Sequence, residues 1–107
     1  HVYNNIVYDN KYGISEQGKT GTNNTYRNNL VYQNTYPWTL KNGLKHTGTV
    51  ATVPGFTTYS RTGTQNLKIT SSSAAVARGT STYAHPTDIV GRPRNSTTGF
   101  DIGAYQH

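Results

Sequence analysis

The pattern of apolar and polar positions repeats early in the chain. Residues 2–10, VYNNIVYDN, return in nearly the same form at residues 26–34, YRNNLVYQN. The offset is 24 residues, so that Tyr8 corresponds to Tyr32. Each segment contains a short β-favouring run that ends in amides, which predicts a strand followed by a turn. A repeat of about 20 to 30 residues is typical of solenoid proteins.

One strand-bearing unit per 24 residues predicts an all-β parallel β-helix. The strand at Ile6–Tyr8 is expected to pair in parallel and in register with the strand at Leu30–Tyr32, about 4.8 Å away. Stacking of this kind would explain why the same side chains recur. After residue 42 the repeat fades, and a third coil near residues 49–53 is degenerate.

The last part of the chain follows a different pattern. It combines an alternating strand-like run, a stretch of small residues and several turns, which is the atypical sequence expected at the end of a solenoid. We therefore expect about three coils in residues 1–64 and a C-terminal closing segment in residues 65–107 of the same single domain. Phe100 and Tyr105 are assigned to this cap.

Composition and charge fit this interpretation and point to an anionic partner. Only 32% of the residues are hydrophobic, which is little for a spherical core but enough for a thin inner row in each coil. Ten Lys and Arg residues against four acids give a net charge of +6, which favours an acidic polysaccharide or a nucleic acid. No recognised nucleic-acid module is present, so polysaccharide is favoured. No apolar run is long enough to span a bilayer, and no membrane partner is predicted.

Several further segments carry a family resemblance. They are VPGF at 53–56, LKITSSSAAVARGT at 67–80, TDIVGRPR at 87–94 and FDIGAY at 100–105. Together with the Asn-rich repeats they resemble the C-terminal coils of secreted bacterial right-handed parallel β-helix proteins of the pectate-lyase-like type. The resemblance implies a right-handed coil and a secreted or cell-surface location. Family members have more coils ahead of this region, so we expect either a fragment of a larger enzyme or a reduced β-helix.

The resembled family cleaves acidic polysaccharides by β-elimination, in which a base removes the proton next to a uronate carboxyl. A depressed-pKa Lys or a fixed Arg suits this chemistry, although no motif marks one. The weak catalytic candidates are Lys11, Arg27, Lys41 and Lys45, and for each the alternative is a solvated surface cation. Calcium is implied by the resemblance only. The four acids are scattered along the chain, so no metal site or other cofactor is predicted.

Aromatic side chains are the better candidates for binding. Sugar rings stack on exposed aromatic faces, and four aromatic residues fall in or just after the repeated segments. The predicted carbohydrate-binding residues are Tyr8, Tyr32, Tyr36 and Trp38. For Tyr8 and Tyr32, stacking between coils or packing in the core is the alternative, because a shift of strand phase by one residue would turn them inward.

The predicted function is extracellular recognition of a polysaccharide, an acidic plant or algal glycan, by a pectate-lyase-like β-helix. An active polysaccharide lyase and a purely structural β-helix end are the alternatives. A non-catalytic role is favoured because so few coils leave little room for a substrate groove. The uncovered strand edge at residues 1–10 also predicts self-association through the N-terminal coil.

Overall fold

The computed structural model describes all residues 1–107 and contains nine short strands and no helix. The strands are β1 (Val2–Tyr3), β2 (Ile6–Tyr8), β3 (Tyr12–Ser15), β4 (Tyr26–Arg27), β5 (Leu30–Tyr32), β6 (Tyr36–Thr39), β7 (His46–Thr47), β8 (Phe56–Thr58) and β9 (Asn66–Ile69). The chain has no helix long and apolar enough to cross a membrane.

The repeated segments lie side by side and pair in parallel. Strand β1 pairs with β4, β2 with β5 and β3 with β6, while β7 extends the first of these sheets on the far side of β4. Ile6 lies opposite Leu30 and Tyr8 opposite Tyr32, so the predicted parallel, in-register pairing is confirmed. Self-association through residues 1–10 stays a prediction.

The prediction of a right-handed parallel β-helix of about three coils is wrong. The sheets hold two or three strands of two to four residues each, and none forms a solenoid. The third repeat is reduced to β7 and a single bridge between Leu30 and Val50. The remaining strands, β8 and β9, pair antiparallel with each other in a separate sheet.

The location of the core explains this difference. Its buried members are Leu30, Ile69, Ala75 and Ile102, and Ile6, Tyr32, Val50, Phe56 and Val76 pack against them. One apolar row, formed by Ile6, Leu30 and Val50, therefore lies against residues from 65–107. The few apolar residues are buried by folding this C-terminal part across the face of the β2–β5 pair. The core is therefore not the interior row of a stack of coils, and residues 1–64 and 65–107 share it.

The repeated asparagines hold the register of the parallel pairs. Asn29 is 1% exposed, and its Oδ1 accepts from the main-chain N–H and the side-chain Nδ2 of Asn5, both at 3.0 Å. Its Nδ2 donates to the carbonyl of Val2 at 2.8 Å. Asn34 makes the equivalent contacts with Asn10, 24 residues earlier. The 24-residue repeat thus returns an amide to each place where a turn needs hydrogen-bond partners.

The turns between β1 and β2 and between β4 and β5 require a left-handed backbone. Asn4 and Asn28 have φ angles of 60° and 54°, a region in which Asn is enriched among non-glycine residues. The same side chains connect these turns to the C-terminal part. Asn4 donates to the carbonyl of Thr80 at 2.7 Å and accepts from its N–H at 2.8 Å, and Asn28 donates to the carbonyl of Arg78 at 2.9 Å.

Replacing Asn29 by Ala should lower the free energy of unfolding by about 2 kcal/mol, because the hydrogen-bond partners of a buried amide lose their contacts. The loss is measured by urea unfolding. The control is Asn23→Ala, at an exposed position in the same Asn-rich stretch with no side-chain hydrogen bond, which should change stability by less than about 0.5 kcal/mol. Equal effects of the two substitutions would contradict the role of the Asn29 ladder.

Candidate functional site

A polar groove lies between the turns that follow β2 and β5 and the loop at residues 59–65. Its volume is about 790 Å³. The lining residues are Asp9, Asn10, Lys11, Gln33, Thr35, Tyr59, Ser60, Arg61 and Gln65. All nine side chains end in an amide, a hydroxyl or a charged group, so this groove suits a ligand with many hydrogen-bonding groups.

One wall of the groove is fixed by a three-residue contact around Asp9. Tyr59 Oη donates to Asp9 Oδ2 at 2.6 Å, and Arg61 Nε donates to the same oxygen at 2.5 Å. Arg61 Nη2 also binds Asp9 Oδ1, which makes the ion pair bidentate. The hydrogen bonds from Arg61 and then from Tyr59 lower the pKa of Asp9 from 3.8 to about 2, and the same contact with Asp9 raises the pKa of Tyr59. We call these three residues the Asp9 clamp.

A pair of exposed tyrosines stands beside the groove. Tyr12 on β3 and Tyr36 on β6 lie opposite each other in the parallel register, with ring centroids 5.2 Å apart and planes inclined by 22°. They are 55% and 51% exposed, so the stacked pair keeps a large part of its surface in solvent. Lys11 Nζ lies 5.5 Å from the centre of the Tyr12 ring and belongs to the groove lining. Lys11 therefore joins the tyrosine pair to the polar groove.

The four predicted binding aromatics separate into two groups. Tyr8 and Tyr32 stack on each other with centroids 6.3 Å apart, and both are partly buried, Tyr32 against the core. Trp38 is partly buried as well, because its ring stacks on His46 at 4.0 Å. Tyr36 alone is largely exposed. Tyr8, Tyr32 and Trp38 are thus partly buried, whereas Tyr36 stacks on Tyr12 and remains on the surface.

The four cations predicted as weak catalytic candidates are not brought together. Lys11 lines the groove, and Lys41 Nζ donates to the carbonyl of Gly18 at 2.6 Å. Arg27 lies over the ring of Tyr3, 5.9 Å from its centre, and Lys45 is exposed. Of the four, only Lys11 belongs to the candidate site.

Sequence reasoning missed several residues of the site. Tyr12 precedes Tyr36 by 24 positions, so the repeat offset could have identified it. Tyr59 and Arg61 could not be found in this way, because their partner Asp9 is 50 and 52 residues away and no motif links them. No group of three or more His, Cys, Asp or Glu residues is placed to hold a metal ion.

Glu16, which directly follows β3, is buried and has a structural role. It is 4% exposed and accepts from Asn24 Nδ2 at 2.7 Å, from the Lys41 N–H at 2.6 Å and from Tyr26 Oη at 3.0 Å. The hydrogen bonds from Asn24 and then from the Lys41 main chain lower the pKa of Glu16. Its oxygens are occupied by these partners, which ties the segments after β3 and β6 together.

Comparison with known proteins identifies no relative, since no family model, curated protein or solved structure matches the chain. The similarity of its motifs to pectate-lyase-like proteins therefore stays a prediction from sequence. The candidate site rests on its own geometry.

The Asp9 clamp should make the free energy of unfolding depend on pH in the acidic range. Because the pKa of Asp9 is lower in the folded protein, its contribution is complete above about pH 4 and is lost as the pH falls toward 2. In Asp9→Asn this part of the pH dependence should be absent, and Asn tolerates the φ angle of 63° at this turn. Urea midpoints of both proteins between pH 2 and 6 measure the difference. Parallel pH profiles would contradict the clamp.

Proposed function

We propose that the chain binds an acidic polysaccharide without cleaving it, at the surface formed by the polar groove and the Tyr12–Tyr36 pair. The observation that carries this proposal is the exposed, stacked tyrosine pair next to an unpaired lysine and a groove of amides and hydroxyls. In keeping with the resemblance stated from sequence, the proposed location is secreted or cell-surface.

The groove and the tyrosine pair match the two kinds of surface that a sugar ring presents. Sugar C–H groups pack on aromatic faces, and each stacked tyrosine uses only one face for its neighbour. The hydroxyl groups of a sugar need hydrogen-bond donors and acceptors on the protein that have no other partner. The side chains of Gln33, Thr35 and Gln65 line the groove and make no hydrogen bonds within the protein, so they are available to a ligand.

The charges favour an acidic polysaccharide over a neutral one. Lys11 has no carboxylate within 4 Å, because the only ion pair in the structure is between Asp9 and Arg61. The groove therefore holds one positive charge in excess, on a chain whose net charge is +6. A uronate carboxylate close to Lys11 would neutralise this excess positive charge.

The chemistry of the groove favours binding over cleavage. A general base works best when its pKa lies near the working pH. The contact with Asp9 raises the pKa of Tyr59, which moves this phenol away from that range, and the guanidinium of Arg61 is held by the same carboxylate. Lys11 is the only charged side chain of the groove without a partner, so β-elimination has no pair of groups to act as base and as charge stabiliser.

Calorimetry with polygalacturonate tests the proposal. Tyr36→Ala should weaken binding about fivefold or more, which corresponds to about 1 kcal/mol for a lost stacking contact. Tyr83→Ala is the matched control, because Tyr83 is a 73% exposed tyrosine outside the groove. Equal effects of the two substitutions, or no binding of polygalacturonate by the wild type, would overturn the proposal.

Charge and salt provide a second test of the same site. Lys11→Gln should weaken binding to polygalacturonate, whereas Lys45→Gln, at an exposed position outside the groove, should have a smaller effect. Added salt should reduce affinity for the wild type, because exposed charges are screened over about 8 Å at physiological ionic strength. Binding that is equally strong for a neutral glucan would contradict the assignment to acidic glycans.

Two outcomes would change the assignment of individual residues. Trp38→Ala tests the prediction from sequence that this ring is a sugar platform, although its stacking on His46 gives it a packing role. A loss of affinity with unchanged stability would place Trp38 in the site. New ultraviolet absorbance from unsaturated uronate during incubation would show cleavage and contradict the non-catalytic proposal.

A further inference from the structure

A second cavity lies on a different part of the molecule, between the start of β2, strand β9 and residues 83–105. Its volume is about 450 Å³, within the range of small-molecule binding sites. Its walls include the apolar side chains Ile6, Phe56, Leu67, Ile69 and Ile102, its rim includes Tyr3, Tyr83 and Tyr105, and its polar members include His85 and Arg94. It shares no lining residue with the polar groove. We call it the Arg94 cavity.

Part of the Arg94 cavity is lined by apolar side chains that a ligand can reach. Ile69 and Ile102 are buried, whereas Leu67 on β9 keeps 38% of its surface exposed. Water against these apolar side chains finds few hydrogen-bond partners, so its release from that side of the cavity by an apolar ligand is favourable. The cavity therefore suits a ligand whose body is hydrocarbon.

The aromatic rim favours a flat ligand. Tyr83 is 73% exposed, yet its ring is held in place by stacking on His1 with centroids 4.0 Å apart and by contact with Tyr3 at 5.8 Å. Tyr105 lines the same opening, and Lys68 Nζ lies 5.9 Å from its ring centre. Aromatic rings bind other rings by stacking and edge contacts, which adds to the gain from apolar burial.

Arg94 provides the one formal charge of the cavity. No Asp or Glu belongs to the lining, and the guanidinium has no carboxylate within 4 Å. Its contacts are with main-chain carbonyls, from Nη2 to Gly103 at 3.0 Å and from Nη1 to Asp101 at 3.4 Å. Guanidinium groups bind carboxylates through two parallel hydrogen bonds, and these contacts occupy only part of its five donors.

We propose that the Arg94 cavity binds a planar aromatic carboxylate, with the rings against the apolar wall and the tyrosine rim and the carboxylate on Arg94. This site is independent of the polysaccharide surface. A neutral aromatic compound of the same shape fills the same space but leaves Arg94 without a counter-charge, so the acid binds more tightly than its amide.

The experiment compares 2-naphthoate with 2-naphthamide by calorimetry on the full chain. Both probes should bind, with the carboxylate about tenfold tighter, since a hydrogen-bonded charge adds about 1.5 kcal/mol or more. In Arg94→Gln the ratio of the two affinities should fall to about one. The ratio of the two affinities within one variant is unaffected by a partial loss of folded protein. Destabilisation by this substitution therefore does not change the comparison.

A blocking variant tests the location. Ala104 is an exposed residue of the lining, and Ala104→Trp should reduce the binding of both probes at least tenfold by filling the space. Ala51→Trp places the same side chain at an exposed position outside the cavity and should leave binding unchanged. Polygalacturonate binding should be unchanged in Ala104→Trp, which separates this site from the groove.

Three results would overturn the proposal. They are the absence of 2-naphthoate binding up to its solubility limit, equal affinities for the acid and the amide in the wild type, and unchanged binding in Ala104→Trp. Loss of 2-naphthoate binding in Tyr36→Ala would also contradict it, because it would place the ligand at the tyrosine pair.

Discussion

The structure depends on burying one apolar row. Ile6, Leu30 and Val50 lie side by side on neighbouring segments and present a continuous apolar strip. Strands of two to four residues cannot hold such a strip in water, because a narrow sheet gains stability only when a face is covered. Ile69, Ala75 and Ile102 cover it, and this contact joins the repeated segments to the C-terminal part in one core.

Residues 65–107, which cover the apolar row, contain little regular structure. Two buried carboxylates there accept main-chain hydrogen bonds that a neighbouring strand would accept in a sheet. Asp88 accepts from the N–H groups of Arg92, Val90 and Gln106 at 2.8–3.0 Å. Burial alone would raise the pKa of Asp88, but these hydrogen bonds outweigh it and the pKa is lowered. Asp101, which is 1% exposed, accepts from the N–H groups of Ala77 and His107. Each carboxylate satisfies several main-chain donors that no strand partner reaches.

Periodic features of the fold could be predicted and isolated contacts could not. The 24-residue repeat predicted the pairing of β2 with β5, because side chains in the same register recur at the same position. The β-helix prediction failed because it counted a degenerate third repeat as a coil and expected the apolar residues to form an inner row within the coils. The actual cover of the apolar row comes from single residues such as Ala75 and Ile102, which have no period to reveal them.

In the candidate site, too, residues at repeated positions could be predicted and isolated contacts could not. Tyr36 belongs to a repeat and was predicted, and its partner Tyr12 follows from the same offset. The Asp9 clamp joins positions more than 50 residues apart on an irregular loop, so no pattern in the sequence indicates it. Three of the predicted aromatics are partly buried, because Tyr8 and Tyr32 stack on each other and Trp38 stacks on His46. Their role in sugar binding stays a prediction.

The Asp9 clamp also decides which cation can meet an acidic ligand. The Asp9 side chain is only 9% exposed, whereas that of Arg61 is 72% exposed. A ligand carboxylate that removed Arg61 from Asp9 would leave a largely covered charge without its partner, which is costly. Arg61 therefore stays on Asp9 and supports the groove wall. Lys11 has no carboxylate partner and lies beside the tyrosine pair, so it is the cation that remains free to contact the proposed acidic ligand.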